Sequence, residues 1–267
     1  MQGSLHVRIA VRFGCCVTPV LIETAAAAGY DYVELPFASV MPERPEPEFE
    51  PARRALRSAP LRPEAWRLLL PPDLRVIGPN VDWPRVARYV YTALGRIADV
   101  GGTVICFGCA EERRVPKGFS VEEARDQIVE FLRVCGASAR TRGLVVAVEP
   151  LSARSCDVIN SLPEAVGLAK AVNMPEIGVL PDAHEMALDG HSPLDVVDAA
   201  AWLAHVHVPG DDGLPVSGEW TREFAHALRM ADYDWRISIE ADWRDPKMEL
   251  PAALEFARSR FGASGPS

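Results

Sequence analysis

No run of apolar residues in this chain reaches the roughly 18–20 positions that a membrane-spanning helix needs. The opening stretch MQGSLHVRIAVRF also lacks the basic-then-apolar order of a secretion signal, because Arg8 and Arg12 interrupt it. The expectation is a soluble, cytoplasmic protein. The chain contains no GxGxxG, no P-loop and no GxSxG, which weakens dinucleotide, NTPase and serine-hydrolase readings. His184-Glu185 opens like the HExxH of a zinc protease, but the fifth position is Leu188 and the motif fails. Positive charge is in deficit: 28 Lys and Arg face 37 Asp and Glu, for a net charge of -9. A surface of that sign repels phosphate backbones, so nucleic acid is not an expected partner. Of the six cysteines, Cys106 and Cys109 form a CxxC, yet no second pair stands at zinc-finger spacing. Free, buried thiols are expected for all six.

What is present is ordinary globular material, 48% hydrophobic and 24% charged over 267 residues. Strand-like and helix-like runs alternate throughout. Leu5–Phe13 is β-like. Thr18–Gly29 reads as a helix capped by Thr18, with Pro19 in its first turn and Gly29 as its stop. Asp31–Phe37 is a second strand, and the Pro- and Glu-rich Met41–Pro51 reads as a loop before a short helix over 51–59. A third strand lies somewhere in Leu61–Ile77. The continuous apolar runs Thr103–Phe107 and Leu144–Val148 suit a sheet covered on both faces. Asp82, Ser120 and Ser161 stand where helix caps are needed. A strand over 177–180, a helix over 192–201, a strand over 204–208, a helix over 219–230, a strand over 236–239 and a final helix complete the pattern. Eight strand–helix units of about 33 residues each predict a single (β/α)₈ barrel over 1–267. A doubly wound open sheet is the alternative, but the first strand is not followed by its glycine-rich turn.

Four polar residues stand at strand ends in the second half: Glu149, Asp182, His207 and Glu240, spaced 33, 25 and 33 residues apart. Taken singly, an acid after a strand is most often a helix cap and a histidine a bonded core residue. Four in succession at one-unit spacing point instead to one rim of a barrel, the face where barrel enzymes place their chemistry. Three carboxylates and an imidazole converging there would repel one another without a cation. An oxygen-rich set with one nitrogen suits a divalent ion, Mn²⁺ first, with Mg²⁺, Co²⁺ and Zn²⁺ as alternatives. His205, two residues before His207, faces the same side one layer deeper. Trp66 and Phe13 are aromatic candidates for a rim contact.

These strand ends and their neighbours resemble the xylose isomerase-like TIM barrels, a group that includes sugar phosphate isomerases and epimerases, ketose 3-epimerases, hydroxypyruvate isomerase and endonuclease IV relatives. The stretches that carry the resemblance are GYDYVELPF, VICFG, VAVEPL, CDVINSLPEAV, PDAHEM, HVHV and ISIEA, which span nearly the whole chain. The resemblance implies Glu149, Asp182, His207 and Glu240 as metal ligands. Three positions depart from the sugar epimerases of the family. Ser155 stands in place of a second Glu, Glu185 in place of a His (with His184 one position early), and Gly213 in place of an Arg. Ser155, His184 and Glu185 are therefore the candidate substrate contacts. The implied activity is metal-dependent isomerisation or epimerisation of a sugar, keto-sugar or cyclitol. It would proceed by proton abstraction beside a chelated carbonyl through an enediolate, with Glu149 and Glu240 as both ligands and acid/base pair. The partner is then a small sugar or cyclitol, with neither membrane nor nucleic acid involved and self-association left open. A keto-cyclitol dehydratase is the close alternative, and a non-catalytic metal-binding barrel another. An endonuclease IV-type hydrolase ranks lowest, because only His6 precedes His184 among the histidines.

Overall fold

A computed structural model describes residues 11–67, 70–211 and 218–262. The N-terminal part of the expected first strand, with His6, lies outside the described residues, as do two positions of the 61–77 stretch and Gly213. Elements alternate in chain order. Strand β1 (Arg12–Cys16) precedes α1 (Ile22–Ala28), and β2 (Tyr32–Pro36) precedes α2 (Glu46–Arg57). Next come β3 (Pro63–Arg67), α3 (Trp83–Asp99), β4 (Val104–Phe107), α4 (Val121–Arg140), β5 (Val145–Val148) and α5 (Leu162–Val172). The last part holds β6 (Ile177–Val179), two short helices α6 (Ala183–Leu188) and α7 (Asp195–Asp198), β7 (Val206–Pro209), α8 (Gly218–Met230), β8 (Arg236–Glu240) and α9 (Pro246–Phe261).

All eight strands are parallel, in the order β6-β5-β4-β3-β2-β1-β8-β7. Parallel bridges Val179↔Leu203 and Asp182↔His207 join the two outer strands and close the sheet into a (β/α)₈ barrel. The closing contact matters for function. The His207 N–H donates to Pro181 O at 3.1 Å, which sets His207 beside Asp182 at the rim.

Alternation along each strand assigns two cores. Phe13, Cys15, Val33, Leu35, Trp66, Ile105, Val146, Val206 and Ile237 point outward into the large core beneath the helices. Tyr32, Ala65, Val104, Cys106 and Ala147 fill the interior of the barrel. Tyr32 occupies so much of that interior that a side chain at Gly14 would fall on its ring.

The caps read from sequence form: Asp82 Oδ1 accepts from Arg85 N at 3.0 Å, Ser120 Oγ from Glu123 N at 3.3 Å, and Ser161 Oγ from Glu164 N at 3.4 Å. Thr18 makes no such bond, because a 3-10 turn over Pro19–Leu21 intervenes before α1. Gly29, at φ 89°, ends α1 in the left-handed conformation that glycine adopts freely.

Three local expectations are corrected. Most of the loop expected over Met41–Pro51 is the start of α2, with Pro51 inside the helix. Fully buried Phe49 anchors it, with the Arg53 and Arg96 guanidinium groups 4.8 and 4.7 Å from its ring centre. Packing there overrides the proline signal. The expected helix over 192–201 is instead the single turn α7 and a 3-10 turn over Ala200–Trp202. In addition, α6 forms where no element was expected, capped by Asp182. All six cysteines are free and buried. Among the described residues no helix is long and apolar enough to cross a membrane.

Candidate metal centre

Glu149 follows β5 directly, Asp182 follows β6 and caps α6, His207 lies within β7, and Glu240 ends β8. One donor atom from each of these four lies within 4.8 Å of the others. The meeting point is His207 Nδ1, which is buried and has no hydrogen-bond partner. Around it stand Glu240 Oε2 at 3.0 Å, Glu149 Oε1 at 3.4 Å and Asp182 Oδ2 at 3.7 Å. Each acid thus turns one oxygen to the imidazole while its second oxygen is engaged elsewhere. Asp182 Oδ1 accepts from Glu185 N at 2.8 Å, and Glu240 Oε1 accepts from Arg67 Nη1 at 2.6 Å. Glu149 Oε2 lies against the bare Cα of Gly108, where any Cβ would collide with it.

The far side of the imidazole is fixed by Glu34, which the sequence reading passed over. This glutamate of β2 is fully buried, and its oxygens lie 3.0 and 3.1 Å from His207 Nε2. With Nε2 turned to Glu34, Nδ1 faces the acids, the arrangement in which a carboxylate orients a metal-binding histidine. Glu34 also bonds His205 Nε2 at 2.9 Å; His205 in turn contacts Ser238 Oγ at 2.9 Å, and Ser238 contacts Tyr32 OH at 3.0 Å. A column of polar groups therefore runs down the barrel interior under the site, with Glu34 as its hinge.

The electrostatics follow from this packing. Burial pushes the Asp182 carboxyl up to about 8, helped by Glu149. Burial likewise raises Glu149. For Glu240, burial works in the same direction, but His207 and Arg67 outweigh it and hold its carboxyl below the usual range. Glu34 is also held low, as the two histidines overcome its burial. His207 is opposed by burial yet raised well above the ordinary imidazole value by Glu34 and its other neighbours. Three carboxyl groups packed at one point repel one another, a repulsion that a counter-ion would offset. The orphaned Nδ1 and three inward oxygens fit a divalent cation as that counter-ion. Cys16 and Cys106 also approach, with Cys106 Sγ 3.8 Å from His207 Nε2. Burial raises both thiols, so they stay neutral and the donor set is oxygen and nitrogen.

Above the four donors lies a cavity of about 380 Å³ lined by Arg67, Gly108, His184, Glu185 and Asp242 among others, within the size range of small-ligand pockets. Of the candidate substrate contacts, His184 and Glu185 line it and three do not. Glu185 is already engaged, accepting from Ser152 N at 2.6 Å, whereas His184 is exposed at the mouth. Ser155 is turned away in a tight turn, its N–H on Ser152 O and its O accepting from Arg114. Phe13 and Trp66 are corrected outright. Both point out of the barrel into the helix-covered core, Phe13 near the N-terminal end of β1 with its N–H on Asp31. Trp66 Nε1 bonds Pro63 O at 2.9 Å. The inward residue at this level of β3 is its neighbour Arg67.

Comparison with known proteins bears on the fold. The sequence profile of the xylose isomerase-like TIM barrel family matches residues 22–260. No curated protein matches the chain by sequence. Among solved structures, the fold is similar to D-allulose 3-epimerase from Methylomonas sp. (19% identity, TM-score 0.78, covering 94% of this chain and 98% of that one). It is similar to 3-keto-D-glucoside 4-epimerase from E. coli (18% identity, TM-score 0.75, 93% and 99% covered). It also resembles the IOLI protein with a bound zinc atom (15% identity, TM-score 0.69, 94% and 98% covered).

Proposed function

The chain belongs to the xylose isomerase-like TIM barrel family, and from that premise we propose that it is a divalent-metal-dependent isomerase or epimerase of a sugar, keto-sugar or cyclitol. The observation that carries this reading is the unpartnered, buried His207 Nδ1 facing one oxygen each of Glu149, Asp182 and Glu240. Those four residues would hold the cation, with Mn²⁺ the expected ion and Mg²⁺, Co²⁺ or Zn²⁺ the alternatives. When bound, it supplies Lewis acidity that polarises a substrate carbonyl and acidifies the C–H beside it.

The protein's own groups then divide the proton work. Glu149 and Glu240 reach the cavity from strands three apart in the closed barrel, so they flank a bound substrate from different sides. One group, ionised, takes the proton while the other, protonated, gives its own to the opposite face, which inverts the carbon and leaves the two groups with exchanged protons. Return by the same group to the neighbouring carbon, with the hydroxyl proton passing to the former carbonyl oxygen, gives aldose–ketose exchange. The buried surroundings of Glu149 keep water from competing for the proton. Asp182, bonded to the α6 backbone, holds position and moves no proton. His184, exposed at the mouth, is the candidate to bond a substrate hydroxyl, since Glu185 is committed to Ser152. Support for a keto-sugar substrate comes from the fold's similarity to two enzymes named as epimerases of allulose and of a 3-keto-glucoside.

The test is proton exchange. Incubated with Mn²⁺ in D₂O and a panel of ketoses, keto-glucosides and keto-cyclitols, the protein should place deuterium on carbon in at least one of them. Deuterium accompanied by loss of water would move the assignment to a dehydratase. Tight Mn²⁺ binding without exchange on any panel member would leave a non-catalytic barrel and end the proposal.

A further inference from the structure

Three of the four donors are fixed by enclosure. The side chains of Glu149, Asp182 and His207 are 9%, 7% and 1% exposed, whereas that of Glu240 is 38% exposed. Asp182 is also tied to the α6 backbone, and His207 to Glu34. Glu240, the least enclosed, sits where thermal motion would spread its carboxylate over several rotamers. Among the described residues its one partner besides the His207 ring is Arg67. This arginine ends β3, three strands away around the barrel, and its Nη1 spans the mouth to reach Glu240 Oε1 at 2.6 Å.

We propose that Arg67 is a positioning residue of the centre: by occupying Glu240 Oε1 it leaves Oε2 alone to face the cation and gives that acid a single donor direction. The inference rests on the proposed metal-dependent function and deepens it. A guanidinium suits the role because its charge is permanent and its donors are planar, so it constrains direction as well as distance. A lysine would supply the charge without the direction. Arg67 also offsets one of the three negative charges that crowd the rim, and it does so from outside the donor set.

The experiment compares the wild-type chain with Arg67→Met and Arg67→Lys, and reads Mn²⁺ affinity by calorimetry in the absence of any substrate. Arg67→Met should weaken Mn²⁺ binding roughly 10- to 100-fold, the usual cost of losing a group that orients a ligand. Arg67→Lys should recover part of that loss and is the variant to read if the Met variant fails to fold. In the Glu240→Gln background Arg67→Met should weaken binding no further, because its effect runs through that carboxylate. With an exchanging sugar in hand, kcat should fall more than KM rises. Unchanged Mn²⁺ affinity with a raised KM would make Arg67 a substrate contact and overturn the proposal, as would additive losses in the double variant. The two readings fail separately. If no sugar exchanges deuterium but Arg67→Met weakens Mn²⁺ binding, the epimerase reading falls and the positioning role stands. If exchange occurs and Mn²⁺ affinity is untouched, the reverse holds.

Discussion

The two halves of the barrel hold different parts of one site. Strands β5 to β8 and the residues just after them supply the four candidate donors, His207 from within β7 and three acids turned to its Nδ1. Strands β2, β3 and β4 supply no such donor; they supply Glu34, Arg67 and Gly108, which act on the donors from behind or beside them. On the proposed function, the second half would carry the chemistry and the first half its aim. Because parallel strands alternate round a closed cylinder, groups far apart in sequence face one another across only the width of the barrel, so neither half is sufficient alone.

The sharpest way to break this division is to remove the chemistry and leave the scaffold. Glu149→Gln and Glu240→Gln keep size and hydrogen-bonding capacity, so each should fold while losing about 10²- to 10⁴-fold in turnover, the range for a positioned acid or base. Near-normal deuterium exchange in either variant would remove that residue from the proton path. A smaller effect is expected from the aiming half. Glu34→Gln leaves one of two buried imidazoles poorly bonded and should weaken Mn²⁺ binding roughly 10- to 100-fold, with a lower melting temperature. A variant binding Mn²⁺ like wild type would show that His207 needs no orientation from β2.

The pH dependence separates the halves in another way. The Asp182 carboxyl is raised from 3.8 to about 8, with burial as the main cause. A group whose folded pKa exceeds its unfolded value adds stability below the unfolded value and loses it as pH rises through the folded one. The Asp182 contribution to the stability of the metal-free protein should therefore decline as pH rises from 3.8 towards 8, against the opposite contribution of the lowered Glu34 and Glu240, and it is read as the difference between wild type and Asp182→Asn. Raised Glu149 adds a contribution of the same sign. Asp182→Asn preserves the α6 cap and should flatten this profile while impairing Mn²⁺ binding. An unchanged slope in the melting curves would show that the acid cluster is not a source of strain. The least effect on the site belongs to Trp66→Phe. It removes the Nε1 bond to Pro63 O and some buried volume, at a cost of about 1–3 kcal/mol, yet should leave exchange rates intact because the ring faces away from the mouth. Slower exchange would reopen Trp66 as a site residue.

The same division explains what could be read from sequence. Runs such as LVVAV before Glu149 and RISI before Glu240 announce both the strand and its polar end, since a charge is most easily tolerated where a strand buried on both faces emerges. Glu34 gives no such signal: in YVELP it sits inside the strand, and only burial from all sides shows that it faces inward. Arg67 was hidden by register. The stretch around β3 is rich in Pro and Arg, so its strand could not be placed, and alternation is meaningless until it is. The expectation fell on Trp66, one residue away and on the wrong face of the sheet. The helix boundary at α2 was missed for another reason, the tertiary anchor Phe49, which local propensity does not record.

Gly108 gives the site a built-in means of comparison. Glu149 can point where it does only while the end of β4 carries no side chain, since even a methyl group there would occupy the place of its carboxylate. A larger residue at that strand end of this chain would displace the Glu149 carboxylate from its present direction. Replacing Gly108 by alanine would then compare this chain with and without that Glu149 oxygen in its present place.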